Sequence, residues 1–226
     1  MRKLQDRFRR DVTIDIAMVS KENYLLFTPM LHEIASGMIE TRHIVTPIRA
    51  FCNRSRFYCA NVENIDLENK HVLIRSSLSK PTDESKTDFE IDTKSVPYDY
   101  LVIALRSETK FFGTSGLQKN AFTLKSLNDA INLRNHIIYL LERGDQLQPA
   151  ASIHDKELQN RLLTFVVVGG GFAGVETAGE INDFIHDSAK DYYHNVDSKN
   201  IRIIIVQSGN RLLPEPSAPS AGRLDV

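Results

Sequence analysis

The run Leu163-Thr164-Phe165-Val166-Val167-Val168-Gly169-Gly170-Gly171-Phe172-Ala173-Gly174-Val175-Glu176-Thr177-Ala178-Gly179-Glu180 restricts the fold more than any other part of the chain. A short apolar, β-branched stretch ends at three glycines and passes into helix-forming residues. That order reads as strand, tight turn, helix. Gly169, Gly171 and Gly174 fit the spacing G-x-G-x-x-G in the context that gives the spacing meaning. Gly169 permits the tight turn after the strand. Gly171, with Gly170 beside it, lets the backbone approach a pyrophosphate, and Gly174 lets the helix pack on the sheet. The helix N-terminus offers free N–H groups and positive dipole to phosphate, with Phe172 and Ala173 flanking it. The unit therefore predicts a parallel α/β sheet that binds a dinucleotide.

The next strand, Ile201 to Val206, is followed by Gln207. Dinucleotide folds usually place a carboxylate here to hold the ribose hydroxyls. An amide bonds a hydroxyl more weakly, so Gln207 favours NAD without excluding NADP. The polar and aromatic stretch from Asp187 to Asn200 reads as a surface extension of the helix–strand connection.

A length of 226 residues suits one large or two small α/β domains. A net charge of −1 with 25% charged residues gives no reason to expect a nucleic-acid partner. Cys52 and Cys59 lack C-x-x-C spacing and read as incidental thiols of a reducing compartment. His32 and His43 have no metal-like companions, so no metal is expected. No nucleophile–base triad, transmembrane run or signal peptide stands out. The basic N-terminus reads as a helix tail with Leu4 and Phe8 on one face.

Between these ends, alternation predicts a strand over Val12 to Val19. Tyr24 to Ile34 reads as a loop leading into a short helix, and Thr46 to Arg49 as the start of another. Phe57 to Val62, His71 to Arg75 and Thr87 to Ile91 read as antiparallel strands, with the polar Ser76 to Lys86 as a hairpin loop. Continuous apolarity makes Tyr100 to Ala104 a buried strand. A helix starts near Ser126, with a capping-box pair Ser126 and Asp129 and Gly144 as its C-cap. Asp145 to Gln159 reads as a polar linker, and the Pro-rich tail from Pro214 as disorder-prone.

Four segments together resemble the type II NADH dehydrogenases, single-chain FAD enzymes that pass electrons from NADH to a quinone. They are Val19-Ser20-Lys21-Glu22-Asn23-Tyr24-Leu25-Leu26-Phe27-Thr28-Pro29-Met30-Leu31; Tyr98 to Ala104 with Phe111-Phe112-Gly113; the helix from Lys125 to Glu142; and the glycine unit with Arg211-Leu212-Leu213-Pro214. The resemblance covers residues from about Asp11 to Pro214. It implies an α/β chain of two Rossmann-like FAD/NAD(P)-binding folds, both incomplete here. Residues 1–115 would be a partial FAD-binding domain without its first strand and phosphate loop, 116–216 a partial NADH-binding domain, and 217–226 a disordered tail.

The resemblance also implies site residues. Glu176, on the first turn of the helix, matches a glutamate proposed for substrate placement or proton transfer; a carboxylate favoured by the helix dipole is the other reading. Glu180 takes a packing or ribose-side role. Ser20 stands where flavin folds hold an acid for the adenosine ribose, with Glu22 as a weak substitute. Pro29 and Leu31 pack on the flavin or simply on the loop. The strand ending at Ala104 approaches the flavin, and Arg106 takes a glycine position there. Arg106 either obstructs the flavin, swings to solvent, or pairs with a phosphate or with Glu108. FAD and NAD are the implied cofactors, and NADH and a quinone the implied reactants. The full-length family is peripheral to the inner, cytoplasmic face of the cell membrane through C-terminal helices without counterpart here, and the resemblance allows a homodimer. Alternatives are a non-catalytic NAD(H)-binding module and a non-functional remnant.

Overall fold

The computed structural model describes residues 1–76, 93–105, 107–147 and 152–213. Its contacts form two compact units, Met1–Leu26 with Val45–Glu108, and Phe27–Ile44 with the residues from Thr109 on. The segment Phe27–Ile44 thus clusters with the glycine-rich unit and not with its sequence neighbours. Arg106, Thr87 to Ile91, Pro214 and the tail 217–226 lie outside the described residues.

The first unit opens with helix α1 (Arg2–Arg7). Its inward residue is Gln5 and not Leu4, which is 43% exposed. The reason is hydrogen bonding: Gln5 donates to the Phe51 carbonyl at 2.8 Å and accepts from the Arg54 N–H at 3.0 Å. Strand β1 is Ile16–Ser20 and starts later than alternation suggests, because Val12 is 93% exposed. Strands β2 (Tyr24–Leu26) and β3 (Val45–Pro47) pair antiparallel. A single 3-10 turn, Ile48–Ala50, follows β3, so the expected helix at Thr46 is shorter and later.

Strand β4 (Ser55–Asp66) does two jobs along its length. Its first half lies parallel to β1, and its second half pairs antiparallel with β5 (His71–Ser76). Strand β6 is Thr93–Pro97 and closes the sheet in the order β1-β4-β5-β6. Val72 and Ile74 alternate inward and join Ala60 and Val96 in a small core, the period-2 pattern of a one-sided antiparallel sheet.

One expectation fails here. Tyr100 to Ala104 is not a strand among the described residues, and Tyr100, Val102 and Ile103 are 95%, 79% and 61% exposed. Apolarity alone does not make a strand. An extended segment needs a neighbour for its N–H and C=O groups, and among the described residues β1, at the end of its sheet, pairs with β4 alone.

The second unit holds α2 (Leu31–Ala35), α3 (Leu117–Asn120), α4 (Leu127–Asp145), α5 (Ile153–Leu162), β7 (Thr164–Val168), α6 (Phe172–Tyr192) and β8 (Arg202–Val206). Strands β7 and β8 pair in parallel through all five residues. Ile137 and Leu141 of α4, Ile181 and Ile185 of α6, and Leu163 form the fully or nearly buried core beneath them.

Helix α4 begins as expected. The Ser126 hydroxyl accepts from the Asp129 N–H at 3.1 Å, and the Asp129 carboxylate accepts from the Ser126 N–H at 3.0 Å. Its end differs: Gly144 lies inside the helix, and Gln146 is the cap. Gly144 is buried near Leu163 and Val196, and Gln159 donates to its carbonyl at 2.9 Å. That bond satisfies a carbonyl of the last turn, which has no intrahelical i+4 partner. The expected polar linker is partly α5, nucleated by Ser152, whose hydroxyl accepts from the Asp155 N–H. The expected surface extension after Asp187 is helix to Tyr192, and Val196 beyond it is buried at 6% exposure.

Candidate nucleotide site

The strand–turn–helix forms as its sequence requires. Gly169 has φ of +116°, a conformation side chains resist. Its N–H continues the parallel ladder, donating to the Val206 carbonyl at 2.8 Å. A Cβ at Gly174 would sit 1.9 Å from the Gly169 carbonyl oxygen, so this glycine sets how closely α6 approaches the turn. A Cβ at Gly171 would meet nothing within 4 Å. The protein thus leaves room over Gly171, where a pyrophosphate would approach the backbone.

The start of α6 is suited to an anion. Gly171 is its N-cap, with no side-chain cap and no acidic residue in the first turn. The first N–H groups of a helix have no intrahelical partner. Phe172, 61% exposed, and the exposed Ala173 flank them. These features fit the phosphates of a dinucleotide.

Glu176 lies in the second turn of α6, not the first, because the helix begins at Phe172. The dipole effect fades within one turn, so it does not account for a carboxylate here. Glu176 is exposed. Glu180, one turn further, accepts from the Ser36 hydroxyl at 2.9 Å. Ser36 is buried at the end of α2, and α2 packs on α4 and α6. No sequence spacing marks Ser36, since its partner is 144 residues away.

Gln207 stands at the end of β8, beside the turn. Its Oε1 accepts from the Gly170 N–H at 2.9 Å, and its amide nitrogen has no partner among the described residues. Leu213 donates its N–H to the Gly170 carbonyl at 2.8 Å, and Leu212 lies over Gly170. Leu212 and Leu213 therefore belong to the turn's wall, a role that local pattern does not reveal.

The residues expected on the flavin side are divided between the two units, Ser20 and Ala104 in the first and Pro29 and Leu31 in the second. Ser20 ends β1, with Cys59 as its register partner. Ala104 is exposed and outside any strand. Pro29 is exposed in a 3-10 turn, whereas Leu31 is buried at 3% exposure. Cys52 and Cys59 are not joined in a disulfide, and the Cys59 thiol donates to the Lys21 carbonyl at 3.5 Å. Among the described residues no helix is long and apolar enough to cross a membrane.

Comparison with known proteins agrees with this geometry. The family model for pyridine nucleotide-disulphide oxidoreductases matches residues 6–223. A probable NADH dehydrogenase of Dictyostelium discoideum is 34% identical over 204 residues, 89% of this chain and 42% of that protein. The mitochondrial external alternative NADH-ubiquinone oxidoreductase of Yarrowia lipolytica is also 34% identical, over 88% of this chain and 33% of its own length. The NDH2 structure from Plasmodium falciparum in complex with NADH superposes with a TM-score of 0.74 at 29% identity, covering 88% of this chain and 38% of that one. The chain thus spans well under half the length of these relatives. From the matched residues and the glycine turn alike, the chain belongs to the pyridine nucleotide-disulphide oxidoreductase family.

Proposed function

We propose that this chain is the NADH-binding portion, with part of the flavin-binding portion, of an FAD-dependent oxidoreductase that passes electrons from NADH to a quinone. The observation that carries this reading is the turn itself: open space over Gly171, α6 seated against Gly169, and an uncapped helix start. In this reading the α6 N–H groups hold the pyrophosphate. Gln207 keeps Oε1 on the Gly170 N–H and offers its amide nitrogen to the ribose of NAD or NADP. Glu176, exposed one turn beyond the phosphate-facing end, is placed to orient the substrate or hold a proton. Glu180 holds α2 through Ser36.

FAD, when bound, supplies hydride acceptance and electron transfer. Its pyrophosphate needs a cradle of its own, and these 226 residues contain one glycine-rich turn. Ser20, Pro29, Ala104 and Arg106 are the residues assigned to its surroundings. The mitochondrial relatives suggest a quinone-bearing membrane as the place of action. Peripheral attachment at that membrane and a homodimer belong to the same reading.

A second reading, an NAD(H)-binding module without catalysis, is favoured by the exposed, unpaired Tyr100 to Ala104. Titration with NADH and NADPH, followed by a visible spectrum after incubation with FAD and desalting, separates the two. Nucleotide binding with retained flavin supports the oxidoreductase; nucleotide binding without flavin supports the module. No nucleotide binding overturns both.

A further inference from the structure

The C-terminal ends of α4 and α6 are tied together. Glu142 accepts from the Tyr193 hydroxyl at 3.0 Å, and Asp145 accepts from the Asn195 N–H at 2.7 Å. A cleft of about 370 Å³ opens beside these bonds. It lies at the far end of α6 from the glycine turn, about 30 Å along a helix of 21 residues, so the nucleotide site does not use it. Ile138, Glu142 and Asp145 line it from α4, and Phe184, Ser188 and Tyr192 from α6. Both sets recur at helical spacing and advance toward the C-termini. The cleft therefore has an apolar end at Ile138 and Phe184, and an acidic end at Glu142 and Asp145, beside Tyr192 and Tyr193.

The acidic end is built to receive positive charge. Each carboxylate spends one oxygen on the fold, and neither second oxygen has a partner among the described residues. Two helices end here, and a helix C-terminus carries unpaired carbonyls and the negative end of the dipole. Arg143 and Lys190, the basic residues of the two last turns, do not line the cleft. Burial, the bond to Glu142 and the charges of Glu142 and Asp145 push the Tyr193 hydroxyl up to about 12, so it stays a donor to Glu142. Tyr192, at 74% exposure, adds an aromatic ring of the kind that attracts an ammonium group. Ile138, at 37%, leaves aliphatic surface uncovered at the other end.

We propose that the α4–α6 cleft binds a small organic cation with one ammonium head and an apolar body of several carbons. The head meets Glu142, Asp145 and the two helix ends, and the body lies on Ile138 and Phe184. Neither half suffices alone. A bare ammonium leaves the apolar end in water, an uncharged body leaves the carboxylates without a cation, and an anionic head is repelled.

The test titrates the whole chain with n-hexylammonium and follows the amide proton and nitrogen shifts residue by residue, with helicity of each variant checked by circular dichroism. Saturable shifts are expected at the cleft, Ser188, Tyr192 and Asn195 among them. Ethylammonium, which has the head without the body, should bind about tenfold more weakly. Hexanol, which has the body without the charge, should be weaker by about fivefold or more, and hexanoate should not bind. Glu142→Gln with Asp145→Asn keeps acceptors for the Tyr193 and Asn195 bonds, removes both charges, and should weaken hexylammonium by about fivefold. Tyr192→Ala alters an exposed side chain, should weaken it by about twofold or more, and carries the test if the double variant loses helicity. The absence of saturable shifts at the cleft overturns the proposal, as does an affinity unchanged in every folded variant. Ethylammonium binding as tightly as hexylammonium would leave only an acidic surface, and hexanol binding as tightly only an apolar groove; either result overturns it too.

Discussion

The three glycines of the motif do different work, and substitutions separate them. Gly174 faces the Gly169 carbonyl at a distance no Cβ tolerates. Gly174→Ala must push α6 off the turn and is expected to cost about 1–3 kcal/mol of stability, read by denaturant unfolding. Gly171 faces open space and has extended backbone angles, φ −77° and ψ 179°. A side chain there meets a ligand and not the protein. Gln207 gives a further separation. Gln207→Glu keeps an acceptor for the Gly170 N–H and adds a charge near the ribose. It is expected to shift preference toward NADH over NADPH by about tenfold, read by parallel titrations with both nucleotides. An unchanged ratio would place the ribose away from residue 207.

At the scale of elements, local chemistry was readable where the partners are close in sequence. The capping box of α4 involves residues three apart, and Ser126→Ala is expected to cost about 1 kcal/mol. Burial raises the Asp129 carboxyl, but hydrogen bonds from Lys125, Ser126 and Thr123 outweigh it and hold it below its ordinary 3.8. A carboxyl held low in the folded state contributes stability above its unfolded value and loses it as pH falls through the folded one. The wild-type chain should therefore lose stability in acid below about pH 4, and Asp129→Asn should flatten part of that slope. Equal acid slopes for the two proteins would remove this role. Elements that depend on distant partners were not readable. Apolarity marked Tyr100 to Ala104 as a strand, but a ladder needs a neighbour. The polar composition of 145–159 hid α5, whose start rests on Ser152 and whose seat rests on Gln159 reaching the Gly144 and Asn195 carbonyls. Ser36 carried no signal for the same reason, since it makes its bond to Glu180 across 144 residues.

For the whole molecule, the two units differ in what they can hold. The second unit contains a formed turn, a buried core and a wall from Leu212 and Leu213. The first has a small core and an exposed apolar segment where the resemblance expects a flavin-facing strand. The chain incubated with excess FAD and desalted is therefore expected to show no stoichiometric flavin band. A retained band would mean that the first unit binds flavin without a glycine-rich cradle.

The most direct test of nucleotide binding is calorimetric titration of NADH into the wild-type chain and into Gly171→Val, with unfolding of both measured alongside. The wild type should bind, and the variant should bind about tenfold to a hundredfold more weakly, or about 1.4–2.7 kcal/mol, while its fold persists. Equal affinities in two folded proteins would contradict the assignment of the Gly169–Gly174 turn to the pyrophosphate.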